Sequence, residues 1–275
     1  MNPESNRPTP DGGIDSPVVF SCRQLEDVDA TDWNRLFESS AGTNLFYDFA
    51  FVHAAVRAWP DAQALKVIVG YQGSSLVFLQ VCRIDDSMLG RPVELYAPPT
   101  ADHIEPLVTP TCRPGIIKAF GDYLVEALKP DLLIAASVTP EFGAEISSLL
   151  QRCTIKRGSR QHGWFLDIPE STEAFWARYR SNFRSQLRRQ LRKADAHGID
   201  LRFVTEEELP PNYSIPQAME NLKRLHKLRF EALNRRSFFL RADFQRFHQF
   251  LSRQASTGAC TACFTEAIHE GQVVG

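Results

Sequence analysis

The chain has 275 residues, 43% of them hydrophobic, long enough for two domains with real cores. A net charge of −2 and a pI near 6.4 give no global reason to expect nucleic acid or an anionic membrane as partner. No apolar run approaches the length of a bilayer span, and six scattered cysteines make no disulfide framework, so a cytoplasmic location without membrane insertion is expected.

Residues 1–16 are polar, with three prolines and two adjacent glycines, and read as a disordered lead-in instead of a secretion signal. Val18–Gln24 reads as a strand. Thr31 reads as the N-cap of a helix over 32–39, and a second helix over 48–59 stops at Pro60. Segments 65–71 and 76–83, rich in Val, Ile and Leu, predict a hairpin about Gln72-Gly73, with a further strand at 93–96. A helix over 114–128 has Pro114 at its start and Pro130 just beyond its end. The unbroken apolar run within 131–138 predicts a buried strand. A helix over 141–151 and extended segments at 153–156 and 164–168 follow. The order is β-α-α-β-β-β-α-β-α-β-β, and then it starts again. A strand at 201–205, helices at 216–233 and 242–256 and a strand through 259–268 lead to a turn at Glu270-Gly271 and a strand beginning at Gln272.

The restart carries a repeated phrase. Asp48-Phe49-x-x-x-His53 and Asp243-Phe244-x-x-x-His248 each follow an aromatic pair and precede an apolar helical stretch. Each is followed by a strand, a Gly turn (Gly73, Gly271) and another strand. Self-similarity at an offset of one small domain implies two related domains. Residues 17–169 form the first, 170–200 a basic linking helix, and 201–275 the start of a second that stops partway.

The repeated order resembles that of GNAT acyltransferases. Trp176, Phe183-Arg184, Leu187-Arg188-Arg189 and Lys193-Ala194…Gly198 resemble the linking helix of tandem-GNAT proteins of the CelD, cellulose-biosynthesis type, and more distantly the FemAB aminoacyl transferases. Leu225-His226…Arg229 is similar to that family's Leu-His-x-x-Arg. The resemblance implies an α/β (α+β) protein of two GNAT-like domains, the second incomplete. It also implies N-acyl transfer from acetyl-CoA or another acyl-CoA, used as co-substrate and not permanently bound. The implied acceptor is an amine on a sugar, polysaccharide or cell-envelope precursor.

The basic helix has its own physics. Tyr179, Phe183, Leu187, Leu191 and Ala194 recur at three- and four-residue spacing as one apolar stripe. Arg180, Arg184, Arg188 and Arg192 run beside it, widened by Arg178, Arg189 and Lys193, with no carboxylate between Glu173 and Asp195. Three readings stand: a solvated or acid-paired face, a site for phosphate or a charged carrier, and a duplex or tRNA surface. Arg184, Arg188, Arg189 and Arg229 are the substrate-binding candidates, because a guanidinium fork suits phosphate. Neutral overall charge argues against nucleic acid. His226 is either a hydrogen-bonded histidine beside the core or, with Arg229, a proton carrier at an acceptor pocket. It is the one weak catalytic candidate. His53 and His248 occupy matching positions and read as structural.

Cys260-Thr-Ala-Cys263 has CxxC spacing, but in a strand residues three apart face opposite sides, so no metal site is expected. No dinucleotide, P-loop, zinc-protease or serine-hydrolase motif is present. A GNAT cofactor loop needs free backbone N–H groups opening a helix. The first copy offers Pro98, Pro99, Pro106 and Pro110 there and reads as degenerate, while in the second copy that region would fall after Gly275. The expectation is therefore an acyltransferase whose 275-residue form binds little CoA, with a non-catalytic remnant or partner-binding module as the alternative and aminoacyl transfer from tRNA behind both.

Overall fold

The computed structural model describes residues 16–40, 45–59, 65–84, 91–96, 98, 101, 103–150, 169–205, 207–257 and 263–275. Contacts divide the chain into two units, Met1–Ile155 and Lys156–Gly275.

In the first unit β1 (Val18–Gln24), β2 (Leu65–Gln72) and β3 (Ser75–Ile84) run antiparallel in that order. Gly73 turns the hairpin at φ 59°, in the left-handed region where a side chain would be strained. Helix α1 (Ala30–Ser39) starts two residues earlier than the expected 32, so that Thr31 lies inside it. Asp29 caps it instead, accepting the Thr31 and Asp32 amides at 2.8 and 3.3 Å. A carboxylate satisfies two orphan donors and also suits the positive end of the helix. Asp48 caps α2 (Phe49–Ala58) through the Phe51 amide at 3.0 Å. Pro60 lies outside the described residues.

Strand β3 is shared by two short neighbours. Its later half pairs with β4 (Pro92–Leu95), and Phe78 and Leu79 pair with β5 (Leu107–Val108). Helix α3 (Arg113–Tyr123) is prolonged by a single π turn, Leu124–Leu128, so the helix expected over 114–128 is regular for only part of that span. Next, β6 (Leu132–Ala135) lies parallel to β4, and Thr139 caps α4 (Pro140–Leu149). The described sheet path is β1-β2-β3-β4-β6. That is a mixed α/β order: an antiparallel meander closed by one parallel pair across a helix.

The strand expected to be buried over 131–138 is both shorter and more open. Leu132 and Ile134 are 55% and 40% exposed, because β6 ends the described sheet path and an apolar run is buried only where both faces and the edge are covered. The extended segments expected at 153–156 and 164–168 lie outside the described residues.

The core of this unit is aromatic. Phe20 and Phe78 meet across β2 with ring centroids 5.2 Å apart, and Phe120 of α3 closes on them at 6.1 and 4.6 Å. Gly70 stands between the two in register, and a Cβ there would come within 2.9 Å of the Phe20 ring. Only a glycine leaves the rings room to touch. Elsewhere Trp33 donates to the Tyr47 carbonyl at 2.8 Å, and the Tyr47 hydroxyl donates to the Tyr96 carbonyl at 3.1 Å while accepting from Gln80 Nε2. Burial pushes the Tyr47 phenol far up, so it stays a neutral donor.

The second unit begins with α5 (Thr172–Ala177), a break at residues 178–180, and α6 (Ser181–Ala196). The basic segment expected as one helix is thus two. Gly198 ends it at φ 65°, its amide reaching the Asp195 carbonyl at 2.9 Å, as expected of a C-terminal stop. Strand β7 (Ile199–Val204), α7 (Ile215–Ala232), a 3₁₀ turn (Phe238–Leu240), α8 (Ala242–Ala255), β8 (Phe264–His269) and β9 (Gln272–Val273) follow. The sheet order is β7-β8-β9, all antiparallel. Glu270 and Gly271, at φ 50° and 75°, make the mirror-image turn that suits a tight hairpin. Val204, Ile215, Ala218 and Ala255 pack as the core, while Leu201 and Phe203 on the other sheet face are 56% and 63% exposed. Cys260 lies outside the described residues, and Cys263 is exposed just before β8.

Both units run β-α-α-β-β. In each, a 3₁₀ turn carrying the aromatic pair (Leu45–Tyr47, Phe238–Leu240) leads into the second helix.

Candidate functional site

The sequence candidates all lie in the second unit. On α6, Arg184 is half-buried while Arg188 and Arg189 are exposed. Among the described residues no side chain pairs with Arg184, Arg188, Arg189, Arg192 or Lys193, in contrast to the ion-paired cations of α7 such as Lys223 with Glu220 at 2.7 Å. The apolar stripe beside them is partly open: Phe183 is 47% and Leu191 43% exposed, while Leu187 and Ala194 are half-buried. An open cleft of about 510 Å³ follows Ser185, Arg188, Leu191 and Arg192. Like charges one turn apart repel by a few tenths of a kcal/mol each, so the face stores a modest cost that an anion would remove.

His226 and Arg229 sit one turn apart on α7. The His226 Nδ1 lies 2.8 Å from the Ser237 hydroxyl, and the ring stacks on Phe230 at 4.1 Å with Phe239 edge-on at 5.2 Å. Ser237 is buried and also accepts the Phe239 amide at 3.2 Å. A serine that caps a turn and is closed from solvent is no nucleophile; the pair anchors the 3₁₀ turn to α7. Arg229 is exposed, and no described side chain pairs with it. The cleft along α6 is lined by neither His226 nor Arg229.

The matching histidines fare alike. His53 packs on Phe49 at 4.0 Å and its buried Nε2 has no partner among the described residues. His248 packs on Phe244 at 4.4 Å and its Nδ1 lies 2.8 Å from the Phe244 carbonyl. Burial lowers the pKa of both, helped by Arg57 at His53 and Lys223 at His248; Glu26 and the Phe244 carbonyl oppose it. The unfolded imidazoles titrate near 6.5 and bind more protons than the folded ones below that value. Stability is therefore expected to fall as the pH drops from about 7.5 to about 5.5, and to fall less in the His53→Phe/His248→Phe double variant. Urea midpoints across that range check it; parallel pH profiles for the two proteins would count against it.

One cluster escaped sequence reasoning. Glu266 on β8 is buried and fully engaged. Its Oε1 accepts from the Tyr213 hydroxyl at 2.6 Å and from Asn221 Nδ2 at 3.3 Å, and its Oε2 accepts from Arg202 Nε at 2.9 Å. Arg202 also lies 4.2 Å over the Tyr213 ring. Burial alone would raise the Glu266 carboxyl, but the donors Tyr213, Arg202 and Asn221 together hold it below its ordinary value. A carboxylate held ionised by three donors is a poor general base near neutral pH. It ties β7, β8 and α7 together. The signal available in the sequence was a lone Glu in a strand otherwise made of Phe, Thr, Ala, Ile and a terminal His.

In the first unit, the start of α3 carries an ion-paired cluster instead of an open anion site. Arg113 pairs with Glu105 at 2.6 Å and with Glu145 at 3.0 Å. Pro114 occupies the first turn and brings no amide. Among the described residues no group of three or more His, Cys, Asp or Glu is placed to hold a metal, and no helix is long and apolar enough to cross a membrane.

No family model matches the chain, and no curated protein matches it. Among solved structures it is similar to a ribosomal-protein-alanine N-acetyltransferase from Brucella melitensis biovar Abortus 2308, at 20% identity over 54% of this chain and 100% of the other, with a TM-score of 0.35. It is also similar to an aminoglycoside acetyltransferase from an uncultured soil metagenomic sample, in complex with sisomicin, at 11% identity over 55% and 97%, with a TM-score of 0.31. Likeness of this degree transfers neither activity nor substrate; the α/β assignment stands on the strand order itself.

Proposed function

We propose that the protein is an N-acyltransferase of the tandem-GNAT, CelD-like type, moving an acyl group from acyl-CoA to an amine of a sugar, polysaccharide or cell-envelope precursor. The observation that carries this reading is the β-α-α-β-β order found in both units, completed in the first by the parallel β4–β6 pair across α3. Duplication with divergence accounts for a first unit whose α3 terminus is filled by Arg113, Glu105 and Glu145; two carboxylates there would repel a pyrophosphate. The catalytic unit in this reading is the second. Arg184, Arg188, Arg189 and Arg229 hold an anionic group of the acceptor, and His226 positions α7 rather than moving a proton.

The test is release of the CoA thiol by protein purified from its own host, with amino sugars and nucleotide-linked amino sugars as acceptors. Acceptor-dependent release from acetyl-CoA is expected. No release above background with any acceptor, together with no binding of acyl-CoA, would favour the alternative of a partner-binding module. The acid-filled α3 terminus is the observation on the side of that alternative.

A further inference from the structure

The near-neutral charge of the whole chain conceals a division. Lys156–Gly275 holds 20 Lys+Arg against 13 Asp+Glu, a net +7, whereas Met1–Ile155 holds 11 against 20, a net −9. Much of the positive surplus is concentrated on α6 and the break before it, where Arg178, Arg180, Arg184, Arg188, Arg189, Arg192 and Lys193 meet no carboxylate in sequence before Asp195.

Their arrangement around the helix matters more than their number. At about 100° per residue, Phe183, Leu187 and Leu191 fall within roughly an 80° arc. Arg184 and Arg188 follow on one flank, while Lys193 and Arg189 stand on the other beyond Gln186 and Gln190. The stripe extends N-terminally through an aromatic ladder: Tyr179 to Phe183 at 4.9 Å, Phe175 to Tyr179 at 5.2 Å and Trp176 to Phe175 at 5.5 Å. An exposed apolar strip with cations on both flanks and Trp and Tyr at one end has the amphipathic pattern of helices that lie in a membrane interface. The apolar face enters the acyl boundary, the rings sit at the headgroups, and the long cationic stems reach anionic lipid.

We propose that the α5–α6 segment docks the protein on an anionic lipid surface, lying in the interface without spanning it. Charge complementarity selects the occupant. A nucleic acid would use the arginines but leave Phe183 and Leu191 in water, and a neutral apolar partner would leave the cations unanswered. The inference rests on α6 alone and not on acyl transfer: it gives Arg184, Arg188 and Arg189 to lipid headgroups in place of the acceptor role proposed above, and lipid binding is read without turnover.

The experiment is co-sedimentation of the full chain with vesicles of phosphatidylcholine alone and of phosphatidylcholine with phosphatidylglycerol. Binding is expected to be at least about tenfold tighter on the anionic vesicles, and to weaken as salt rises from ~0.1 to ~0.5 M. Arg188→Glu/Lys193→Glu should reduce it to the neutral-vesicle level, while Arg188→Lys keeps it, which separates loss of charge from loss of fold. Phe183→Ser/Leu191→Ser should weaken it by about tenfold as well, because interfacial binding scales with apolar area. Equal binding to both vesicle types overturns the proposal. So does an unchanged affinity in the Phe183/Leu191 variant, or a duplex RNA that binds as tightly as the vesicles and is equally indifferent to that variant. No binding to either vesicle type overturns it too.

Discussion

Glu266→Ala is expected to cost the second unit about 3 kcal/mol or more, since breaking a buried ion pair from one side removes the partner and strands the other charge. Arg202 would then keep its cation against the Tyr213 ring without its carboxylate partner, and the Tyr213 hydroxyl would lose its acceptor. The Arg202 side chain is 28% exposed, so water recovers part of the loss, which places the effect at the lower end of the range known for buried pairs. Glu266→Gln keeps the shape but points an amide at a guanidinium, and should cost nearly as much. The contribution also has a pH sign. The folded carboxyl lies below its ordinary value of 4.5, so the stabilisation is complete above that value and is lost as the pH falls beneath it. Hydrogen exchange reads the effect locally. Amides of β8 should lose protection in Glu266→Ala while those of β2 and β3 keep theirs. Unaltered β8 protection would show that the carboxylate is not the tie between β7, β8 and α7.

That cluster marks where the sequence stopped being legible. Local rules place β1 at its observed limits and α2, α7 and α8 within a residue or two, because Asp48, the Ser214 hydroxyl that accepts the Gln217 amide at 3.3 Å, Pro216 in the first turn of α7 and the Glu270-Gly271 turn act on their own neighbours. The Asp29 cap was missed because Thr31 also belongs to the capping residue types, and only geometry shows which side chain reaches the free amides. Burial was the weaker inference. An apolar run reports what a strand is able to bury and not whether anything lies against it, hence the open faces of β6 and β7. For the site, the arginines of α6 were legible as a charge row, and their lack of side-chain partners among the described residues is what the structure adds. The Arg202–Glu266 pairing joins residues 64 positions apart, and no local pattern carries it. The charge division was hidden by averaging over both units.

Phe120→Ala is expected to have an effect of the same size in the first unit, about 3–5 kcal/mol for a fully buried phenylalanine. Where in that range it falls depends on whether α3 is free to settle into the space. Phe120 closes on both Phe20 and Phe78, and those two already meet through the gap that Gly70 leaves, so neither has a further surface to slide along. From behind, α3 is held by α4: Gly121 lies so near Leu149 that a Cβ there would stand 2.7 Å from the leucine Cδ1. A helix gripped on both sides relaxes little, the cavity stays open, and the cost belongs in the upper half of the range. A lasting apolar cavity is also dry and takes small aromatics, so benzene should raise the urea midpoint of Phe120→Ala and leave that of the parent protein unchanged. A cost below about 1 kcal/mol, or no response to benzene, would mean that α3 moves after all and that the Phe20–Gly70–Phe78 contact is not the fixed floor on which it rests.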